Sequence, residues 1–215
     1  MKYYFLFYIL FYSFSASCQS TPKANHNPKA VALNNKAFKL LINGTEINLS
    51  DEQRSKKALR ILDSATTIDS KYNSAYLNKL SSLLYLRKYK LAIETVDKVI
   101  KNGQSPFLFR AYLSGGIIQK DYLKQNESAS KYFDKAYKSA INKAELDKHK
   151  TVNYDTTVSL VLYYSKGKEE AIIYLNKITP LYKNQKAVTE LNAFKTMIAN
   201  GNVHNDDFFK NFSTY

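Results

Sequence analysis

The stretch from Asn73 to Ile100, NSAYLNKLSSLLYLRKYKLAIETVDKVI, decides how the chain folds. Its first half places Tyr76, Leu77, Leu80, Leu83, Leu84 and Leu86 three and four residues apart, the spacing of one apolar helix face, and ends at Arg87-Lys88. Tyr89 opens a second half whose stripe is Leu91, Ala92, Ile93, Val96, Val99 and Ile100, and Asn102-Gly103 stops it with a residue suited to the left-handed cap. Two amphipathic helices joined by so short a turn form an antiparallel hairpin, which needs neighbours to cover its apolar faces.

Working outward, the same pattern recurs. On the N-terminal side, Ser50 is a candidate cap with Asp51 and Glu52 in the first turn, followed by Ala58, Ile61, Leu62 and Ala65 on one face. On the other side, Ser105-Pro106 opens a helix through Phe109, Tyr112 and Leu113, past Gly115-Gly116, to Ile117 and Ile118. Ala129 to Ala140 forms another. Asn153 to Tyr164 is helical with mixed strand propensity from Thr156, Thr157 and Val158, and Glu169–Leu181 and Ala187–Ala199 follow. Ala58, Ala92, Ala129 and Ala171 mark one recurring point, at steps of 34, 37 and 42 residues. A small side chain there lets two crossing helices approach closely.

On these residues the segment from 73 to 100 resembles a tetratricopeptide repeat. Tyr76, Leu80, Tyr85 and Leu86 lie on its first helix, Arg87-Lys88-Tyr89 in the turn, and Ala92-Ile93 with Val96 and Val99 on the second. Asp69-Ser70 resembles the junction between such repeats, with the family's proline missing. The resemblance extends more loosely over 54–72, 108–140 and 155–180, with a generic helical bundle as the alternative. It implies an all-α fold, an α-α superhelix of about three to four hairpins, with the last helix capping the stack. The repeat domain is expected over 49–200, its first unit only half present, with a tail over 201–215.

The N-terminus reads as an address. Met1-Lys2 precedes an apolar run from Tyr3 to Phe14, then Ser15-Ala16-Ser17-Cys18, the layout of a secretory signal over residues 1–17. Twelve helical residues span about 18 Å, short of the ~30 Å hydrocarbon core of a bilayer. Ser15-Ala16-Ser17-Cys18 resembles the lipobox of bacterial lipoproteins, although Ser15 stands where that pattern usually has leucine. The resemblance implies acylation at Cys18 and a membrane anchor; an ordinary secreted protein with an exposed thiol, or a core cysteine, are the alternatives. Residues 18–48, with Pro22 and Pro28 and no periodicity, read as a lipidated start and flexible tether. No acidic residue follows Cys18 closely, which in such lipoproteins points to the outer membrane facing the periplasm.

The net charge of +14 in 215 residues suggests nucleic acid or an anionic surface. Only four of the 32 basic residues are arginine, however, and no run of five or six occurs, so nucleic-acid binding is not expected. One cysteine excludes an internal disulfide and a CxxC knuckle. His26, His149 and His204 lack ligand spacing, and Glu169-Glu170 and Asp206-Asp207 read as helix-dipole complements or solvated charge. The sequence thus carries no expected catalytic residue, metal or cofactor, and the protein reads as a non-enzyme.

The repeat resemblance implies a concave groove lined by each first helix, which binds a protein or peptide. Carried onto this chain, the groove residues are Ser74, Asn78, Ser81 and Tyr85 with Leu77, then Arg110 and Leu113, then Asn153, Thr156, Leu160 and Tyr164. Leu77 and Ser81 stand where chaperone-binding members carry the Lys and Asn that grip a terminal carboxylate, which argues against that ligand. The expected function is a membrane-anchored envelope scaffold that binds a partner through this groove. The alternative is an all-helical envelope lipoprotein that binds a soluble ligand or toxin domain without groove logic.

Overall fold

A computed structural model of the chain describes residues 26–43, 48–103, 108–144 and 151–203. Among them every regular element is helical: α1 (Pro28–Asn43), α2 (Asp51–Ile68), α3 (Asn73–Tyr85), α4 (Tyr89–Asn102), α5 (Leu108–Ile117), α6 (Asn126–Ala144), α7 (Val152–Lys166), α8 (Lys168–Ile178) and α9 (Gln185–Ala199). A π-helical turn, Ile118–Tyr122, extends α5, and a 3-10 turn, Thr179–Leu181, follows α8. Each helix packs on the next in chain order, and first helices also meet, α1 against α3 and α7 against α9. The result is an α-α superhelix of four TPR-like hairpins closed by α9.

Local sequence sets the element ends. Ser50 caps α2 in a reciprocal box: its hydroxyl accepts from the Gln53 amide at 3.3 Å, and the Gln53 side chain accepts from the Ser50 amide at 2.8 Å. Gly103 ends α4 at φ +63, a conformation that penalises residues with a Cβ. Thr151 caps α7, accepting from the Tyr154 amide at 3.2 Å, so the strand-prone threonines yield to capping and packing. The Ser105-Pro106 start lies outside the described residues.

The recurring alanines are where the hairpins close. Ala58, Ala92, Ala129 and Ala171 sit on the second helices α2, α4, α6 and α8, and none is more than 2% exposed. In the third hairpin the close approach is made by Gly115 and Gly116, which face the rings of Tyr132 and Phe133 on α6. Leu80, Leu83, Val96, Val99, Phe109, Leu113 and Ile117 form the central core, continuous from the second hairpin into the fourth.

The expected tether over 18–48 is corrected from residue 28 onward. Pro28–Asn43 is a helix that buries Ala30, Ala37 and Leu40 against Ala58, Leu62, Ala65 and Ala75. Pro28 is its first residue, where the missing N–H costs nothing, and Asn27 caps it by accepting from the Lys29 amide at 2.9 Å. The first hairpin is therefore whole: α1 supplies the half that the sequence left out. Residues 1–25, with Cys18 and the expected signal, lie outside the described residues, as does the tail from 204.

Candidate functional site

The stack positions the expected groove residues very unevenly. On α3, Ser74, Ser81 and Tyr85 are seven and four residues apart and share one stripe. Ser74 and Ser81 are half-buried, Ser81 donating to the Asn78 carbonyl at 3.2 Å, while Tyr85 is 54% exposed. Leu77 is half-buried beside them and packs on the core. This stripe is the accessible part of the expected groove.

Asn78 shares that face of α3 but is covered, and Arg110 on α5 is buried, so both expectations are corrected. Asn78 is 2% exposed, because α1 covers it: its amide donates to Asn34 Oδ1 at 2.8 Å, and the Asn34 amide donates to Tyr72 Oη at 3.2 Å. The three polar groups satisfy one another in the α1–α3 contact, where an unmatched amide would be costly. Arg110 is 4% exposed, because α5 is the central first helix, flanked by α4 and α6 and facing α7 through an edge-on contact between Phe109 and Tyr154 at 5.6 Å. From Phe109 to Ile117 only Tyr112 is more than marginally accessible, and Leu113 is fully buried. The groove floor is closed over α5.

On α7, Leu160 is buried and Thr156 half-buried, and Asn153 lies in the first turn. Tyr164 is half-buried: its ring stacks on Phe133 at 4.9 Å, meets Tyr163 edge-on at 5.1 Å and lies under the Lys120 ammonium at 5.2 Å. Tyr85 and Tyr164 thus stand at the ends of two first helices, with the closed α5 between them.

Two polar clusters that the sequence did not single out fix the stack. Asp155, 3% exposed in the first turn of α7, accepts from Tyr174 Oη and Tyr182 Oη, each at 2.5 Å. Burial, and then the bond to the Asp155 carboxylate, push both phenols well above their usual range, so they stay protonated donors. The carboxylate also sits at the positive end of the α7 dipole. At the other end, Asp69 accepts from the His26 ring at 2.9 Å, from the Asn27 amide at 3.2 Å and from the Lys71 amide at 3.1 Å. Burial works to raise the Asp69 carboxyl, but the His26 bond and the two amides outweigh it and hold the group below its ordinary value. Neither cluster could be found from spacing, since its members are brought together only by the stacking.

Among the described residues two surface depressions stand out, and both are open to solvent. One, of about 350 Å³, lies between α1 and α2 beside Lys36, Lys39, Lys57 and Ile61. Another, of about 450 Å³, lies at the α3–α4 turn and is lined by Arg87, Lys88, Tyr89, Lys90, Leu91 and Leu123. Among the described residues no group of three or more His, Cys, Asp or Glu side chains is placed to hold a metal ion, and no helix is long and apolar enough to cross a membrane.

No protein-family model matches the chain, and no curated protein matches it. Among solved structures it is similar to the MamA RS-1 ArsTM double mutant, with a TM-score of 0.43 and 17% identity, covering 82% of this chain and 97% of that one. A likeness of that degree carries no conclusion about activity or partners.

Proposed function

We propose that the protein is a lipid-anchored scaffold of the bacterial cell envelope that binds a protein or peptide along the accessible face of its first helices. The observation that carries the binding reading is the α3 stripe, where Ser74, Ser81 and the exposed Tyr85 line up beside a core whose other faces are used in stacking. Serine hydroxyls can bond an extended backbone, and a tyrosine held at a helix end offers rigid amphipathic area at small entropic cost. Tyr164 extends the same face toward the last hairpin. Both of these depressions are open to solvent rather than enclosed, which favours a macromolecular partner over a small ligand.

The anchor is assigned to Cys18, within the lipobox-like Ser15-Ala16-Ser17-Cys18. One acyl chain binds a bilayer only marginally, so the several chains of a lipoprotein are what would make attachment stable. Labelling cells with a palmitate analogue tests this part: wild type is labelled and Cys18→Ala is not, and equal labelling overturns the anchor. Affinity purification from detergent-solubilised envelopes tests the binding face. A bait changed at Ser74→Arg, Ser81→Arg and Tyr85→Ala together loses the partner that the wild-type bait retains; unchanged recovery removes this stripe from the site.

A further inference from the structure

The turns that join the first helix of each hairpin to its second emerge on one edge of the stack, because successive hairpins pack in the same sense. In hairpins two to four, this edge is basic. Residues 87–90, 120–124 and 166–168 hold seven cations and one acid, Asp121, with Glu169 and Glu170 following in the first turn of α8. The second and third turns touch, the rings of Tyr89 and Tyr122 lying 5.0 Å apart. Arg87, Lys88, Lys90 and Lys124 are exposed, and none makes an ion pair among the described residues. Among these cations Leu91, 40% exposed, lines the 450 Å³ depression together with Tyr89 and Leu123.

Two of these cations share an uncommon backbone conformation. Arg87 and Lys124 both adopt left-handed backbone, at φ 55 and 58, at matching points of consecutive turns. That conformation is unfavourable for a side chain with a Cβ, and a glycine would be the ordinary choice there.

We propose that this edge docks on a bilayer of anionic phospholipid. A row of exposed, unpaired cations dominated by lysine suits many headgroups that present no fixed geometry. Arg87 lines the depression, but it is the one arginine among the seven cations; the others are lysines spread over three turns rather than converging on a single phosphate. Leu91 and the half-buried Tyr89, which line the depression, supply the apolar and amphipathic area that enters the headgroup boundary once the cations have brought the edge to it. The inference rests on the charge and exposure of the edge alone, and neither the anchor at Cys18 nor the binding face of α3 is needed for it.

Vesicle co-sedimentation tests it, using the chain from residue 18 onward with Cys18→Ser, so that neither acylation nor the apolar run of residues 3–14 plays a part. The probes are phosphatidylcholine vesicles with and without phosphatidylglycerol. Binding to the anionic vesicles exceeds binding to the neutral ones and falls steeply as salt is raised. Each cation that reaches the surface tightens binding roughly fivefold. Changing Arg87, Lys88, Lys90 and Lys124 to Gln therefore weakens anionic binding by at least tenfold. Changing the exposed Lys36, Lys39, Lys71 and Lys98 to Gln, an equal loss of charge elsewhere, weakens it by less than about threefold. Circular dichroism of both variants excludes unfolding as the cause. Equal weakening by the two sets, or equal binding to neutral and anionic vesicles, overturns the proposal. So does an edge that captures an acidic protein while leaving anionic vesicles unbound, which would make it a protein dock.

Discussion

A methyl group added at Gly116 would lie 2.3 Å from Cε1 of Phe133, and one at Gly115 would lie 2.5 Å from Cδ1 of Tyr132. Phe133 is buried and stacked on Tyr164, and Tyr132 is tied through its hydroxyl to Asp97 at 2.6 Å. In an open helix Gly→Ala is stabilising by about 0.5–1 kcal/mol. Here the overlap wins, and Gly116→Ala lowers stability by about 1–3 kcal/mol, read as a reduced urea midpoint with an unchanged slope. A raised midpoint would mean that the α5–α6 approach is looser than described. The Asp69 cluster makes a second prediction at this scale. Its carboxyl is held below the unfolded value of about 3.9, so it stabilises the fold above that pH and loses the contribution as pH falls through its folded value. The difference in Tm between wild type and Asp69→Asn is therefore constant above about pH 5 and shrinks toward pH 3; a difference that grows with acid contradicts the cluster.

At the scale of elements, the helices the sequence announced through large apolar residues are the ones it placed correctly. Leu80, Leu83, Val96 and Val99 signal their faces by volume and spacing, and Ser50 and Gly103 punctuate them. α1 escaped because alanines and Asn34 carry much of its buried face, and because a proline at the first helical position looks like a breaker when read without its cap. The error propagated: with α1 missing, Asn78 looked exposed, although it bonds to Asn34. Arg110 misled for another reason, since repeat spacing gives the face of α5 but not how tightly α4, α6 and α7 close over it. Turn strain was likewise invisible from composition. Arg87→Gly exchanges a left-handed penalty of about 1–2 kcal/mol for a backbone-entropy cost of about 0.5–1 kcal/mol, so it leaves thermal stability unchanged or slightly higher. A clear fall in Tm would show that the Arg87 side chain has a structural contact of its own.

For the whole molecule, stability and function draw on the same arrangement. Each hairpin covers its neighbour, the first by α1–α3 contacts and the fourth by α9, so the stack is closed at both ends by helices with polar outer faces. What stays open is the α3 stripe ending at Tyr85 and, around the corner, the basic edge of the turns. The central claim is that the stripe receives a protein partner in the envelope. Its most direct test is site-specific photocrosslinking in living cells, with a benzophenone amino acid placed at Tyr85 and, as a control, at the exposed Glu94 on the second helix of the same hairpin. The account predicts one discrete crosslinked species from position 85, lost when Ser74→Arg and Ser81→Arg are added, and none from position 94. Crosslinks of equal pattern from both positions, or no discrete species from 85 in cells where the protein is folded, would contradict it.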